Sequence, residues 1–177
     1  MANPLSMLVA LADAVKAALN AAQVAPSPVG TWQNPFATPF TAERRFVAVR
    51  DPSKLPFFNA DPPQAPRVVV VPMADGESRL GGGMRAITQG EFEVDVTIYS
   101  RVGPGEEGEA ACGTLMDLRQ QIRDFFKVAP QGGGLTVIGS STARAVLTAI
   151  GGEMAFDEGP LYDGGLFVSP QTLKFNI

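Results

Sequence analysis

The side chains in this sequence that could do chemistry are mainly carboxylates. Glu93 and Asp95 stand two residues apart on a predicted strand, so both lie on one face of it and could act as a general acid and base. Glu106, Glu107 and Glu109 could together bind a hard cation such as calcium. Neither group has the spacing of a distinctive catalytic or metal-binding motif. Charge that faces water or a channel is therefore the better interpretation of both groups.

The candidate nucleophiles lack a base. The sequence has no histidine, which removes the commonest general base and the commonest metal ligand. Ser140 and Ser141 follow Gly139 in a predicted turn. Cys112, the single cysteine, lies near the start of a predicted helix, where the neighbouring glutamates disfavour a thiolate. We therefore expect a protein that is not an enzyme and that uses no metal or cofactor.

A glycine-rich segment, residues 73–90, raises the question of phosphate binding. It has neither the Gly-Lys-Ser/Thr ending of a phosphate-binding loop nor a helix directly behind it. We predict a flexible loop, or the tip of a hairpin that joins the strands on either side.

Composition limits the class of protein. With 177 residues, 45% of them hydrophobic and 18% charged, the chain is long enough for one domain with a substantial core. The net charge of −4 argues against a basic surface that grips nucleic acid. No apolar run is long enough to span a bilayer, and the N-terminus lacks the basic segment of a signal peptide. We expect a single domain over residues 1–177 with no membrane partner.

Glu93 and Asp95 belong to the most regular pattern in the chain. Residues 91–99 alternate between apolar and polar side chains, which predicts a strand with one face against the core. A long helix over residues 109–127 follows, with an apolar stripe at steps of three and four residues. The stripe consists of Ala111, Leu115, Leu118, Ile122, Phe125 and Phe126. We expect the stripe to pack on the apolar face of the strand and to leave the face with the two carboxylates to water or a partner.

The remaining predicted elements are shorter. A helix is predicted over residues 4–22, and prolines make connectors of residues 24–39 and 51–66. Further strands are predicted over residues 43–50, 68–71, 135–138, 143–150, 166–168 and 172–177. Because strands outnumber helices, we predict an α+β domain. Its mostly antiparallel sheet packs against one long helix and an N-terminal helix.

Some local predictions depend on single residues. Pro72 is expected to end the valine strand, and Pro170 to confine the last strand to an edge or a bulge. Residues 157–165 are expected to form a turn. Trp32, Phe36 and Phe40 are expected to tie the first proline-rich connector to the core, although they could instead anchor a neighbouring subunit.

This order of elements resembles that of the tail terminator, or tail completion, proteins of long-tailed bacteriophages. The similarity includes the N-terminal helix, a short strand with the paired arginines Arg44 and Arg45, and a valine strand between Pro66 and Pro72. It continues with the alternating strand, the long helix and the closing strands near the C-terminus. The similarity covers most of the chain and consists of element order and pattern, without a signature residue.

The resemblance implies a structural virion protein that is assembled in the host cytoplasm into a homo-oligomeric ring, a hexamer. Such a ring caps the tail tube, contacts the head–tail connector or neck protein, and lets DNA pass through its hole. We hypothesise that Glu93 and Asp95 face this channel, where carboxylates would repel phosphates and keep the DNA mobile. An ordinary solvated sheet face explains the same pattern equally well. The glycine-rich loop, with Arg79, Gly82 and Arg85, is expected to order against a neighbouring subunit or the tail-tube protein.

Three alternatives stay open. The chain could be another neck or connector component of a phage, or a tail-tube subunit that polymerises. It could also be a cytoplasmic α+β domain that binds a ligand. The weakest alternative is an enzyme that relies on carboxylates alone.

Overall fold

The computed structural model of the protein describes residues 4–23, 35–46, 65–76, 91–128, 134–138, 142–152 and 154–177. The described residues form helices and strands in the order α-β-β-β-α-β-β-α-β. The helices are α1 (Pro4–Gln23), α2 (Glu106–Val128) and α3 (Glu158–Gly164). The strands are β1 (Thr41–Arg44), β2 (Arg67–Gly76), β3 (Glu91–Arg101), β4 (Gly134–Ile138), β5 (Thr142–Gly151) and β6 (Leu166–Asn176).

The strands make one sheet in the order β1-β2-β3-β6-β5-β4. Strands β1 and β2 run parallel, and the other neighbouring pairs among the described strands are antiparallel. The centre of the sheet is the pair β3 and β6, which is in register from Glu91 opposite Asn176 to Arg101 opposite Leu166. The predicted α+β class with a mostly antiparallel sheet is confirmed.

Both long helices pack against the same face of the sheet. Helix α1 contacts β1 and β2 near one edge and β4 at the opposite edge, so the sheet curls around it. The curl removes its apolar stripe from water, and Leu11, Val15 and Leu19 are each 0% exposed. Helix α2 joins the same core cluster through its own stripe. The stripe of α2 therefore lies on the apolar side of the sheet, as predicted, but the strands that α2 contacts most are β5 and β6 rather than β3.

The free edge of β1 is covered by side chains of α1. The Asn20 carboxamide donates to the Ala42 carbonyl oxygen at 3.0 Å and accepts from the Ala42 N–H at 3.0 Å. The Gln23 side chain accepts from the Phe40 N–H at 2.9 Å. These bonds occupy backbone groups that an edge strand would otherwise offer to a second chain. Strand addition at β1 is therefore disfavoured.

The sequence predicted that strand β2 ends at Pro72, but the strand continues past this residue. The register with β3 shifts between Pro72 and Ala74, and the strand continues to Gly76. A β-bulge at this point accommodates the proline and leaves Met73 as the extra residue, 57% exposed. The prediction failed because proline was treated as a stop, whereas a bulge lets the ladder resume beyond it.

Helix α3 was predicted as a turn. Its N-cap is Asp157, whose carboxylate accepts from the Gly159 N–H at 3.1 Å. Its C-cap is Gly165, which has φ of +64° and donates its N–H to the Leu161 carbonyl oxygen at 3.0 Å. An aspartate and a glycine placed eight residues apart are the usual cap pair of a short helix, so the sequence did contain this signal.

Strand β6 is one continuous strand inside the sheet, but at Pro170 it has a neighbour on the β3 side alone, so the predicted edge position holds there and the predicted break does not. Pro170 lies opposite Thr97 of β3, whereas pairing with β5 begins only at Thr172. Pro170 therefore lies beyond the end of the β5 ladder, where the missing N–H does not interrupt that ladder.

The first proline-rich connector is partly described. Phe36 and Phe40 are buried, and the Phe36 ring packs against Phe125 of α2 at 5.4 Å between centroids. This confirms that the two rings tie the connector to the core. Strand β1 begins at Thr41, two residues earlier than predicted, and ends at Arg44. The described residues do not include Trp32, residues 47–50, connector residues 51–64 or most of the glycine-rich segment (77–90).

Candidate functional site

Glu93 and Asp95 lie on the sheet face opposite the helices. The even-numbered side chains of β3 point into the core, and Val94, Val96 and Ile98 are each 0% exposed. Glu93 and Asp95 point the other way and are half-buried. The sequence therefore placed both carboxylates on the correct face of the strand.

The charge of Glu93 is largely compensated within the chain. Its carboxylate oxygen lies 2.6 Å from the ammonium nitrogen of Lys174, the residue directly opposite on β6. The hydrogen bond and charge of Glu93, with a smaller contribution from Glu91, raise the pKa of Lys174. A carboxylate that already pairs with a lysine repels DNA phosphates less than a free one, so the channel hypothesis has less support from Glu93 than the sequence suggested.

The environment of Asp95 is less favourable for a charged carboxylate than that of Glu93. It lies between Val71 of β2 and Thr172 of β6, and burial raises the pKa of its carboxyl above the ordinary 3.8. The Thr97 hydroxyl, 2.9 Å away, donates to the carboxylate and opposes this shift in part. Because the folded-state pKa exceeds the unfolded one, ionisation of Asp95 destabilises the fold as pH rises past about 4.

We predict that Asp95→Asn raises the melting temperature at pH 7. Asparagine has the same shape and can still accept the Thr97 hydroxyl, but it carries no charge to desolvate. The gain should shrink as pH falls toward 3.8, the ordinary pKa of the carboxyl, because the wild-type aspartate is then protonated too.

The control is Glu93→Gln, which removes the ion pair with Lys174 and should lower the melting temperature slightly at low salt. Thermal unfolding followed by circular dichroism at pH 7 and pH 4 makes the comparison. A destabilised Asp95→Asn variant at pH 7 would contradict the desolvation argument.

The same sheet face also carries an apolar cluster that the sequence did not indicate. Thr97 and Tyr99 were expected to face water or a partner, but each is only 4% exposed. Tyr99 packs with a second group of buried side chains, separate from the main core. This group consists of Val69, Val71, Tyr99, Leu166 and the partly buried Val168. On this face of β3 the solvent therefore reaches the half that carries Glu91, Glu93 and Asp95, and Arg101 at the other end of the strand. Alternation within one strand could not reveal the cluster, because its members come from three strands.

A groove lies at the C-terminal end of β3, between the start of α2 and helix α3. Its volume is about 790 Å³, and it is lined by the β3–α2 turn, Cys112 and Glu109 of α2, and Leu161 and Tyr162 of α3. Tyr162 is the most exposed of the large apolar side chains in the described ranges, at 85%. The groove has a mixed lining of apolar side chains, one carboxylate (Glu109) and one guanidinium (Arg101), which suits a ligand with both apolar and polar groups.

Close backbone contacts make the floor of this groove rigid. Gly165 accepts the Val102 N–H at 2.7 Å, and a Cβ at Gly165 would lie 2.6 Å from the Val102 carbonyl oxygen. A Cβ at Gly108, in the first turns of α2, would collide with the carbonyl oxygen of Gly103. Two glycines thus fix how the turn before α2 and the end of α3 meet.

The other side chains that could take part in catalysis or metal binding do not form a common site among the described residues. Burial, with a smaller contribution from Glu109, raises the pKa of the Cys112 thiol, as the sequence indicated. Glu106, Glu107 and Glu109 are exposed. No group of His, Cys, Asp or Glu side chains in the described part of the chain could hold a metal ion. Ser140 and Ser141 lie outside the described residues, as do Arg79, Gly82 and Arg85.

One polar site inside the core escaped the sequence analysis. Arg119 of α2 is 8% exposed, and its Nε–H has no hydrogen-bond partner among the described residues. Its guanidinium donates to the Met154 carbonyl oxygen at 3.3 Å, and burial, aided by the charge of Arg123, lowers its pKa. Gln171 of β6 is 1% exposed, and neither end of its amide has a partner in the described ranges. A Cβ at Gly152 would lie within 3.5 Å of both Arg119 and Gln171, so the two residues are close neighbours.

We predict that Arg119→Met stabilises the isolated subunit by roughly 1–3 kcal/mol. A buried charge without a carboxylate partner carries a desolvation penalty, and methionine fills a similar volume without it. The matched control is Arg123→Met on the next turn of the same helix, where the side chain is half-buried and the change should be near zero. Urea unfolding measures both. A loss of stability in Arg119→Met would show that the guanidinium is better satisfied than its described contacts indicate.

Comparison of the chain with models of known protein families gives no match, and comparison with curated proteins gives no significant match. Among the residues described, no helix is both long and apolar enough to span a bilayer.

Proposed function

We propose that this protein is a structural virion protein of a tailed phage, a tail terminator whose copies form a ring at the end of the tail tube. The observation that carries the proposal is the two-sided sheet. Both long helices pack on one face of the sheet, and the other face combines paired charges with a small apolar cluster. Such a subunit is rigid and has surfaces suited to contacts between copies.

The order of elements supports the same proposal. The N-terminal helix, the paired arginines at β1, the valine strand, the alternating strand and the long helix occur in the sequence expected of a tail terminator. The ring would contact the tail-tube protein on one side and the head–tail connector on the other. DNA would pass through it without specific contacts. Partial compensation of the wall charges by Lys174 would keep that passage weakly repulsive.

The groove favours a second candidate, an α+β domain that binds a small ligand. A volume of about 790 Å³ is within the usual range for ligand pockets. The groove offers one carboxylate (Glu109), one arginine (Arg101) and a tyrosine (Tyr162), and the sequence contains no histidine. Binding without catalysis is therefore the form that this alternative takes.

Light scattering after size-exclusion chromatography, with electron microscopy of the same fractions, tests these proposals. We expect closed rings of uniform diameter with a central hole. Filaments of indefinite length would indicate a tube subunit instead. A protein that stays monomeric at all concentrations would contradict the ring, and stabilisation of that monomer by a small molecule would support the ligand-binding alternative.

A further inference from the structure

We infer that residues 47–64 dock across the outer face of the sheet and cover an apolar cluster there. The inner face of the sheet is the side on which α1 and α2 pack, and the outer face is the opposite side. The outer cluster is defined as Val69, Val71, Tyr99, Leu166 and Val168. Residues 47–64 lie outside the described part of the chain, so their docking site is inferred from the fixed ends of the segment and from the cluster itself.

The outer cluster is enclosed although no described helix contributes a side chain to it. Val69 is 0% exposed, Val71 3% and Tyr99 4%, and the members of the cluster come from β2, β3 and β6 alone. The side chains of a sheet face that carries no second layer normally keep part of their surface in water. Another part of the chain therefore lies over the cluster.

The two ends of the segment are held at the strands next to the cluster. The Arg45 N–H donates to the Val70 carbonyl oxygen at 2.9 Å, and the Thr41 N–H donates to the Pro66 carbonyl oxygen at 3.1 Å. The chain thus leaves β1 beside Val70 and returns to the start of β2 beside Thr41. Because β1 and β2 run parallel, the segment between them has to cross one face of the sheet.

The inner face of β1 and β2 is already occupied by α1, which contacts both strands. The Asn20 carboxamide bonds both backbone groups of Ala42, and Asp13 accepts from the Arg44 Nε–H at 2.8 Å. These direct contacts leave no space for a second segment between α1 and the two strands. A path around the far side of α1 would leave the outer cluster uncovered. The crossing that satisfies both observations runs over the outer face.

The segment has the length for this path. Its eighteen residues can span roughly 60 Å when extended. Its ends are about 10 Å apart, since three residues of β2 separate Arg67 from Val70, and β6 lies about 10 Å from β2 across the sheet. The chain can therefore reach every strand of the cluster and return to β2.

The composition of the segment suits an apolar docking site. Leu55, Phe57 and Phe58 stand among four prolines, which disfavour a helix and favour an extended or irregular path. Three large apolar side chains in so short a segment gain free energy by leaving water, and the outer cluster offers the matching surface.

Docking of this segment narrows the surface that remains for the proposed ring. With the outer cluster covered by the chain itself, contacts between copies on the outer face fall on its charged end, where Glu93 pairs with Lys174 beside Asp95. The docking itself does not depend on the ring.

The two tyrosines of the chain provide the first test, because tetranitromethane nitrates tyrosine rings that solvent reaches. Tyr99 is 4% exposed, and Tyr162 on α3 is 85% exposed. A triple variant, Leu55→Ser, Phe57→Ser and Phe58→Ser, removes the apolar side chains of the segment. We expect nitration at Tyr99 to be at least roughly tenfold faster than in the wild type, with Tyr162 unchanged, by mass spectrometry of proteolytic peptides.

The matched control changes three polar residues of the same segment, Ser53→Ala, Asn59→Ser and Asp61→Ser. It keeps the apolar side chains, so Tyr99 should stay as protected as in the wild type. Circular dichroism under the nitration conditions confirms that both variants are folded.

A photo-cross-link gives a second measurement that does not depend on the stability of the triple variant. The wild-type chain carries p-benzoylphenylalanine in place of Phe57 and is irradiated at the concentration used for electron microscopy. We expect cross-links within one chain, at the 18.6 kDa subunit mass on a denaturing gel, to peptides of β2, β3 or β6 that contain members of the outer cluster.

The remaining outcomes overturn the docking. Tyr99 that stays protected in the folded triple variant, cross-links to α1, or no cross-link at all would show that the segment lies elsewhere. Cross-links between chains would show that a second copy covers the cluster. Closed rings in which the docking fails would contradict this inference alone, whereas a permanent monomer in which Tyr99 is protected by the segment would contradict the ring alone.

Discussion

Gly108→Ala should destabilise the protein by roughly 3 kcal/mol or more, whereas Gly113→Ala on the same helix should stabilise it by up to about 1 kcal/mol. The added methyl group at Gly108 would collide with the backbone carbonyl of Gly103, which cannot move without displacing the turn before α2. The methyl group at Gly113 meets nothing within 4 Å, so the higher helix propensity of alanine acts alone. The two substitutions are chemically identical, and urea unfolding should give opposite signs.

The same pair of variants also tests the groove. The collision at Gly108 forces the start of α2 away from the turn that forms the groove floor. Equal stability of Gly108→Ala and Gly113→Ala would show that the start of α2 does not pack against Gly103.

Phe126→Ala should destabilise the subunit by about 3–5 kcal/mol, because the large side chain is lost from a closely packed core. Phe126 is 2% exposed, and its ring packs edge-on against Phe125 at 5.0 Å and against Phe175 of β6 at 6.4 Å. The pair with Phe175 joins α2 to the central strand, so the loss should affect the whole domain.

Phe46→Ala is the matched control for this prediction. At 66% exposure the same truncation should change stability by less than about 0.5 kcal/mol. Thermal unfolding of both variants makes the comparison. A Phe46→Ala variant as unstable as Phe126→Ala would show that the Phe46 side chain belongs to the core.

Much of the fold could be predicted because its strongest patterns are local. The alternation in β3 and the stripe in α2 each depend on one element facing one core, and Val96 and Ile122 are buried as expected. The effect of two prolines was predicted wrongly because it depends on the neighbouring strands of the sheet. Pro72 lies at a bulge and Pro170 lies beyond the end of the neighbouring ladder, and neither condition can be seen in a single segment.

The candidate site was less predictable because it is assembled from distant segments. Glu93 and Asp95 were placed on the correct face, but the partner Lys174 is 81 positions away from Glu93 in the chain and adjacent only through the β3–β6 register. The Arg119–Gln171 site has the same character, since it joins a helix to a strand. Polar residues at such positions follow no periodic pattern, so a single sequence offers no signal for them.

The enclosure of α1 by the curled sheet has a consequence for how the protein is made. The helix leaves the ribosome before all the strands of the sheet, and β4, which contacts it from the far edge, begins more than a hundred residues later at Gly134. During synthesis part of its apolar stripe therefore stays exposed until β4 has emerged from the ribosome. Contacts of such long sequence separation slow folding, and the waiting helix is a natural binding site for chaperones. Nascent chains stalled before β4 should accordingly be sensitive to protease within α1, and chains released after β6 should be resistant.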